Sequence, residues 1–156
     1  LGLPATIFLI TGMIGTDKKR PRYQHLPSPD MLSWSDVKEM AAHKVTFGSH
    51  TVNHPRLGTL PVQEQKNEIE QSMAMLGSWL KEGETLPVFC YPYGDYNQET
   101  LKILAELGVR AAFTVVCGIN DDKTHPLELR RIGVDGRDSL FDLRKKLAGA
   151  CGILKA

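Results

Sequence analysis

Strand-like and helix-like segments alternate along nearly the whole chain, and this alternation limits the folds that are open to it. Short runs of β-branched and aromatic residues are typical of buried strands, and apolar residues at helical spacing are typical of amphipathic helices. The predicted order is strand, helix, strand, helix, strand, helix, strand, strand, helix. This order predicts an α/β fold with a parallel sheet or barrel, in which the functional site lies at the carboxyl ends of the strands.

The sequence also indicates where these elements begin. Strands are predicted over residues 5–10, 45–47, 88–91, 110–116 and 127–134. Ser33 and Asp36 have the S-x-x-D spacing of a capping box, so a first helix starts there. Pro61 begins a second helix, Asn97 caps a third, and Ser139 begins a fourth. The leucines expected to pack the fourth helix against the core are Leu140, Leu143 and Leu147.

Acidic residues are concentrated in the amino-terminal half of the second predicted helix. Glu64, Glu68 and Glu70 lie there, where the helix macrodipole stabilises negative charge. We interpret them as solvated helix residues rather than as catalytic groups.

Length and composition are those of one globular domain that covers residues 1–156. The chain is 42% hydrophobic and 24% charged, with a formal net charge of +1. This near-neutral balance predicts no nucleic-acid partner, and the absence of a long apolar run predicts no transmembrane segment. The cysteines contain no C-x-x-C pair, so a cysteine zinc site is not predicted.

Two histidines four positions apart follow the predicted strand 45–47. Gly48 lets the backbone turn after that strand, and His50 and His54 come next. If residues 51–54 form one helical turn, the two side chains face one side with about 5–6 Å between their Cβ atoms. Imidazole nitrogen suits zinc and other borderline divalent metals, although catalytic zinc usually has three protein ligands. The alternative is a pair of surface or hydrogen-bonded histidines without a metal.

A second candidate feature follows the predicted strand 88–91, where the sequence reads Pro92-Tyr93-Gly94-Asp95. A proline followed by an aromatic residue and a glycine makes a rigid corner, and backbone N–H groups beyond it can point into a cleft. Donors of that kind stabilise an oxyanion. The alternative is an ordinary β-turn.

The two features together resemble motifs of a known family. Residues 48–55 and 89–96 closely resemble the second and third motifs of the polysaccharide deacetylase family, also called the NodB-homology domain. Residues 3–9, 32–34 and 129–132 resemble other segments of the same family. The resemblance implies a distorted (β/α) barrel that removes acetyl groups from acetylated sugars. The family uses a divalent metal, commonly zinc, held by one aspartate and two histidines.

The resemblance also implies roles for individual residues. His50 and His54 are expected to bind the metal, with Ser49 or Thr51 in a supporting shell. Tyr93 is expected to offer its backbone N–H to the oxyanion.

Substrate contacts are expected from Tyr91, Tyr93 and Asp95, although for Tyr91 a packing role is equally open. The expected partner is an acetylated polysaccharide or oligosaccharide. Family members are expected outside the cytoplasm, in extracellular, periplasmic or cell-envelope locations.

The chain departs from the family pattern at three places. The first motif, a strand ending in Thr-Phe-Asp-Asp-Gly that supplies the catalytic base and the metal-binding aspartate, should lie upstream of Leu1, so we expect an N-terminally incomplete barrel. Cys90 stands where many members have an arginine that orients the base. The late Leu-x-His motif, source of the general acid, is replaced by residues 129–131, and the nearby His125 is interpreted as a bystander.

Two functional hypotheses follow from these features. The first is a metal-dependent deacetylase that hydrolyses the amide bond of N-acetylated sugars. The second is a non-catalytic relic of such a domain that binds a glycan or has a structural role. Paired aspartates upstream of Leu1 in the parent protein would favour the enzyme.

Overall fold

The main feature of the fold is one parallel β-sheet whose strands follow one another in sequence order. A computed structural model describes residues 3–16 and 31–149. The strands of the sheet are β1 (Ala5–Leu9), β2 (Val45–Ser49), β3 (Thr85–Cys90), β4 (Ala111–Cys117) and β5 (Leu129–Arg131). Their spatial order is β1-β2-β3-β4-β5, and every neighbouring pair is parallel. The predicted α/β class is therefore confirmed.

Four α-helices accompany the sheet in the described residues. They are α1 (Trp34–Ala42), α2 (Val62–Trp79), α3 (Gln98–Glu106) and α4 (Leu140–Leu147). Single 3-10 turns cover Thr11–Met13, Leu57–Thr59, Pro92–Gly94 and Pro126–Glu128. None of the helices in the described ranges is both long and apolar enough to cross a membrane.

The register of the strands brings the two candidate motifs to the same edge of the sheet. Leu9 of β1 pairs with Ser49 of β2, and Ser49 pairs with Phe89 of β3. Because all strands run in one direction, the segments after Leu9, Ser49 and Cys90 leave the sheet side by side. The edge therefore gathers the turn at Thr11, the histidine segment and the Pro92 corner.

Two clusters of buried apolar side chains hold α1, α2 and α3 on the sheet. In one cluster Phe89 and Ala112 of the sheet pack with Ile69 of α2 and Leu104 of α3. The other contains Leu9, Val37, Phe47, Leu76 and further residues from β1, β2, α1 and α2. Because α2 contributes to both clusters, it is held firmly beside the strand end that carries the histidines.

Side-chain hydrogen bonds confirm three of the four predicted helix starts, while α2 follows Pro61 without such a bond. The Ser33 side chain accepts from the Asp36 N–H, and Asp36 in turn accepts from the Ser33 N–H, which is the reciprocal pattern of a capping box. Asn97 caps α3, and Ser139 caps α4. These bonds to Ser33 lower the pKa of Asp36.

Two expectations about the carboxyl-terminal part are wrong. The predicted strand 127–134 is shorter, because β5 covers only Leu129–Arg131. Helix α4 buries none of its residues, and Leu140 and Leu147 are 77% and 58% exposed. The leucines do recur at helical spacing, but the described part of the chain buries none of them.

Candidate active site

The two histidine rings lie against each other at the carboxyl end of β2. The ring centroids of His50 and His54 are 4.6 Å apart and the ring planes meet at 81°. His54 is buried, with 7% of its surface exposed, and His50 is half-buried. The expectation that the two imidazoles share one side of the segment agrees with this arrangement.

The backbone that brings the rings together is not the helical turn that we expected. In the histidine loop, defined here as residues 50–54, Thr51 has φ 67° and His54 has φ 61°. Both values lie in the left-handed region, which costs a non-glycine residue about 1–3 kcal/mol. A β-branched residue such as Thr51 is rarely found there. The loop is therefore strained and has to be held by other parts of the structure.

The carbonyl groups of the histidine loop are held by the turn that follows β1. The Thr11 N–H donates to the Thr51 carbonyl at 3.1 Å, and the Gly12 N–H donates to the Val52 carbonyl at 3.0 Å. A Cβ atom at position 12 would stand 2.7 Å from the Val52 carbonyl oxygen. Glycine at this position is what lets the two backbones approach so closely.

The N–H groups of the loop are held mainly by Glu68 of α2. One carboxylate oxygen of Glu68 accepts from the N–H groups of Val52 and Asn53, at 3.0 and 2.9 Å. The other oxygen accepts from the Asn53 side-chain amide at 2.6 Å. The interpretation of Glu68 as a solvated helix residue is wrong, and no local sequence signal distinguishes it from Glu64 and Glu70.

Side chains at the end of β2 form the rest of the support. The His54 N–H donates to the Thr51 hydroxyl at 2.9 Å, so Thr51 closes the loop on itself. Ser49 is buried, and its hydroxyl donates to the Ser72 hydroxyl of α2 at 2.8 Å. Both residues that we expected in the supporting shell therefore lie next to the histidines.

One hydrogen bond determines the tautomer of His50. Its Nδ1 atom lies 2.5 Å from the Cys90 carbonyl oxygen at the end of β3. A carbonyl can only accept, so Nδ1 carries the proton and the lone pair of the ring lies on Nε2. Metal-binding histidines usually have this arrangement, in which the second nitrogen donates to a carbonyl or carboxylate.

The donor set suits a borderline divalent metal but does not complete its coordination. Two imidazoles face each other, and in this tautomer of His50 the ring lone pair lies on Nε2, the kind of atom that binds zinc. Residues 3–16 and 31–149 contain no group of three or more histidine, cysteine, aspartate or glutamate side chains arranged around one metal position. The histidine pair thus fits as the nitrogen half of a metal site.

The second strand-end feature is the corner formed by residues 91–95. Tyr93 and Gly94 both have left-handed φ angles, 59° and 69°. The Gly94 N–H donates to the Tyr91 carbonyl and the Asp95 N–H donates to the Pro92 carbonyl, both at 3.0 Å. A Cβ atom at Gly94 would overlap the Val115 side chain of β4. The corner is therefore a tight turn that requires glycine.

The corner touches the histidine loop through Tyr93. The Tyr93 ring meets the His54 ring edge-on, with 4.6 Å between centroids. The Arg56 guanidinium lies over the same ring, 4.6 Å from its centroid. Tyr93 remains 51% exposed, so it forms part of the rim of the candidate site.

Asp95 and Tyr91 both stabilise the corner, Asp95 from a half-buried position and Tyr91 from the core. The Asp95 carboxylate accepts from the Gly58 N–H at 2.9 Å, which links the corner to the loop before α2. Tyr91 is 1% exposed, and its hydroxyl donates to the Leu127 carbonyl at 2.6 Å. The expectation that Tyr91 contacts a sugar is therefore corrected, because its buried ring packs inside the protein and cannot reach a ligand at the surface. The same burial raises the pKa of Tyr91.

The structure also shows the contacts of His125 and Cys90, which the sequence analysis named. His125 lies outside the histidine pair, and its Nδ1 accepts from the Leu127 N–H at 3.2 Å, which agrees with its interpretation as a bystander. Cys90 is a buried thiol whose pKa is raised by burial and partly lowered by the charge of Arg131. The Arg131 guanidinium reaches the Cys90 sulfur at 4.0 Å.

Comparison with known proteins places the chain in a family. Residues 1–112 match the family model described as polysaccharide deacetylase. The chain is 32% identical over 133 residues to the Bacillus subtilis protein YxkH, named provisionally as a polysaccharide deacetylase. That match covers 85% of this chain and 43% of YxkH. The chain belongs to the polysaccharide deacetylase family.

Solved structures have the same fold. The deacetylase PplD of Streptococcus pyogenes, solved in complex with acetate, is 30% identical with a TM-score of 0.76, and the match covers 93% of this chain and 59% of PplD. IcaB of Ammonifex degensii is 25% identical with a TM-score of 0.69, over 86% of this chain and 57% of IcaB. The chain thus spans about half the length of the relatives it matches.

Proposed function

We propose that this chain is part of a metal-dependent hydrolase that removes acetyl groups from N-acetylated sugars of a polysaccharide. The observation that carries the proposal is the His50 and His54 ring pair, 4.6 Å apart at the edge of the sheet where the candidate motifs meet. Family membership supports the same reaction class. PplD, the similar structure solved with acetate, supports an acetyl group as the part of the substrate that is cleaved.

His50 and His54 would hold the metal, with zinc as the first candidate because imidazole nitrogen suits it. Bound there, the metal would lower the pKa of a water molecule and polarise the acetyl carbonyl. The Cys90 carbonyl keeps His50 in the tautomer that presents Nε2. Ser49 and Thr51 keep the end of β2 and the histidine loop in place.

We assign the Tyr93 backbone N–H as the donor to the oxyanion that forms when the acetamide carbonyl is attacked. The left-handed conformation of Tyr93, beside His54, supports this assignment. Loss of one such donor typically lowers a rate by about 10²–10³-fold. The exposed ring of Tyr93 and the nearby Asp95 would contact the sugar at the rim.

The catalytic base and the general acid have no assigned residue in this sequence. Each of these roles typically contributes about 10²–10⁴-fold to a rate. We therefore expect the 156 residues alone to release acetate slowly, and we expect a version that also carries the family's aspartate-bearing strand to be faster by orders of magnitude.

The test measures acetate release from N-acetylglucosamine oligomers, with added zinc and with a chelator. Both versions of the protein are assayed as wild type and as His54→Ala, with His125→Ala as a matched histidine control. We expect zinc-dependent release from the longer version, which His54→Ala abolishes and His125→Ala leaves unchanged. Oligomer binding without release from the longer version would favour the non-catalytic alternative. Fast, chelator-sensitive release from the short chain would make Asp95 the first candidate for the base.

A further inference from the structure

Beyond the residues expected from the family resemblance, α2 carries a row of polar side chains on the side that packs on the rest of the protein. Gln65, Glu68 and Ser72 recur at helical spacing, and Gln65 and Ser72 are buried while Glu68 is half-buried. Gln65 donates to the Leu60 carbonyl at 2.9 Å, and Ser72 accepts from Ser49. Glu68 lies between them and is the member of the row that reaches the histidine loop.

Hydrogen bonds from two directions hold the strained part of the loop. The carbonyls of Thr51 and Val52 accept from the turn after β1, and the N–H groups of Val52 and Asn53 donate to Glu68. The loop cannot relax toward an ordinary backbone conformation without breaking one of these sets. Of the other N–H groups of the loop, that of His50 donates to the Leu9 carbonyl and that of His54 donates to the Thr51 hydroxyl, so Glu68 alone holds the two N–H groups between the histidines.

The chemistry of these bonds requires a carboxylate. Three donors converge on Glu68, two on one oxygen and one on the other. A glutamine at this position would replace one acceptor oxygen by an NH₂ group, which would then face a donor. Removal of the charge also weakens the remaining bonds, because hydrogen bonds to an ionised acceptor are the stronger kind.

We propose that Glu68 is a positioning residue that holds His50 and His54 in metal-binding geometry by bracing the loop between them. This inference rests on the proposed function for its metal-binding consequence. Glu68 acts through the Val52 N–H, the Asn53 N–H and the Asn53 side chain, to which it is hydrogen-bonded. Changes to residues that orient metal ligands typically weaken metal binding by about 10-fold to 100-fold, and we expect a loss of that size in Glu68→Gln.

The matched control is Glu70→Gln, which removes the same charge from an exposed position of the same helix. Zinc titration by calorimetry is expected to show the loss of affinity in Glu68→Gln and wild-type affinity in Glu70→Gln. The visible spectrum of bound Co²⁺ is expected to change only in Glu68→Gln. Glu68→Asp keeps the carboxylate and is expected to recover part of the affinity, which a loss of general stability would not predict.

A metal-free measurement tests the bracing directly. Without zinc, the amide hydrogens of Val52 and Asn53 are expected to exchange faster in Glu68→Gln than in Glu70→Gln. Equal exchange rates and equal zinc affinity in these two variants would overturn the inference. If Glu68→Gln does not fold, Asn53→Ala removes one of the three bonds, and wild-type zinc affinity in that variant would also overturn it.

The outcomes separate this inference from the proposed function. Unchanged zinc binding in both His50→Ala and His54→Ala would reject the metal site, and the exchange of Val52 and Asn53 would still show whether Glu68 braces the loop. Loss of zinc binding in the histidine variants, with none in Glu68→Gln, would keep the metal site and reject the role of Glu68.

Discussion

The histidine loop and the corner at residues 91–95 lie side by side and both contain left-handed residues, but they are stabilised differently. The histidine loop depends on groups far away in sequence, namely the N–H groups of Thr11 and Gly12 and the carboxylate of Glu68. The corner closes with hydrogen bonds among its own residues, from Gly94 to Tyr91 and from Asp95 to Pro92.

This difference explains why the sequence predicted the shape of the corner but not the shape of the histidine loop. A locally closed turn needs particular residue types at fixed positions, so proline and glycine at the corner indicate its shape. A loop held by distant partners needs only that those partners exist somewhere in the fold. The shape of the histidine loop was therefore mispredicted, although the two imidazoles do face each other as expected.

The largest expected effect is on metal binding at the histidine loop. His50→Ala and His54→Ala each remove one of the two proposed nitrogen ligands, and we expect zinc affinity to fall by about two orders of magnitude or more. Calorimetric titration measures this. His125→Ala serves as the control, because its ring nitrogen caps a turn outside the pair. Binding curves that are unchanged in both site variants would refute the metal site.

The next largest effect is expected at Gly94, where the corner is locally determined. Gly94→Ala places a methyl group into the Val115 side chain at a residue with φ 69°, and we expect a loss of about 2–4 kcal/mol in the free energy of unfolding. Gly108→Ala is the matched control, since Gly108 has φ 73° and an added Cβ would meet nothing within 4 Å. Chemical denaturation that gave equal losses would show that Val115 does not constrain the corner.

Thr51→Val tests the one local hydrogen bond of the histidine loop. Valine keeps the shape but leaves the buried His54 N–H without the hydroxyl that accepts from it at 2.9 Å. We expect a loss of about 1–3 kcal/mol in the free energy of unfolding. Thr59→Val, at an exposed threonine whose hydroxyl only donates to a carbonyl, is the control. A smaller loss at Thr51 than at Thr59 would mean that the distant partners alone hold the loop.

A smaller effect is expected when the buried hydroxyl beneath the corner is removed. Tyr91→Phe leaves the Leu127 carbonyl without its donor and should cost about 1–2 kcal/mol of stability. The affinity for acetylated oligosaccharides is expected to stay unchanged, because Tyr91 is buried. A drop in affinity without a drop in the melting temperature would return Tyr91 to the group of substrate contacts.

The smallest effect concerns the alkaline limit of stability next to the corner. Three causes raise the pKa of Tyr96 from its usual 10 to about 12. The largest is burial, followed by the hydrogen bond to Glu128 and the charge of Glu128. The folded state thus favours the neutral phenol of Tyr96. Its contribution to the free energy of unfolding is complete below about pH 10 and is lost as the pH rises through about 12. Melting temperatures measured across this range should fall less in Tyr96→Phe than in wild type. Parallel curves for the two proteins would show that Tyr96 does not contribute to the alkaline loss.

Helices α1 and α4 show the limit of what helix signals in the sequence can predict. Both begin with a serine that forms a capping box with an aspartate three positions later, and both form where this signal occurs. Helix α1 buries Val37 completely, whereas the leucines at the ends of α4 are exposed. Capping is settled by neighbouring residues, but burial depends on which surface the rest of the chain offers.

The sequence by itself determined the alternation of strands and helices, the helix caps, and the residue types that bring His50, His54 and Tyr93 to strand ends. These features depend on periodicity and on bonds between residues a few positions apart. Tertiary structure alone decided that Glu68 braces the histidine loop, that the Cys90 carbonyl orients His50, and that Tyr91 is buried. Each of these contacts joins residues separated by 15 to 40 positions, or depends on surfaces from several elements. No local pattern in the chain encodes them, because they exist only once the parallel strands have aligned.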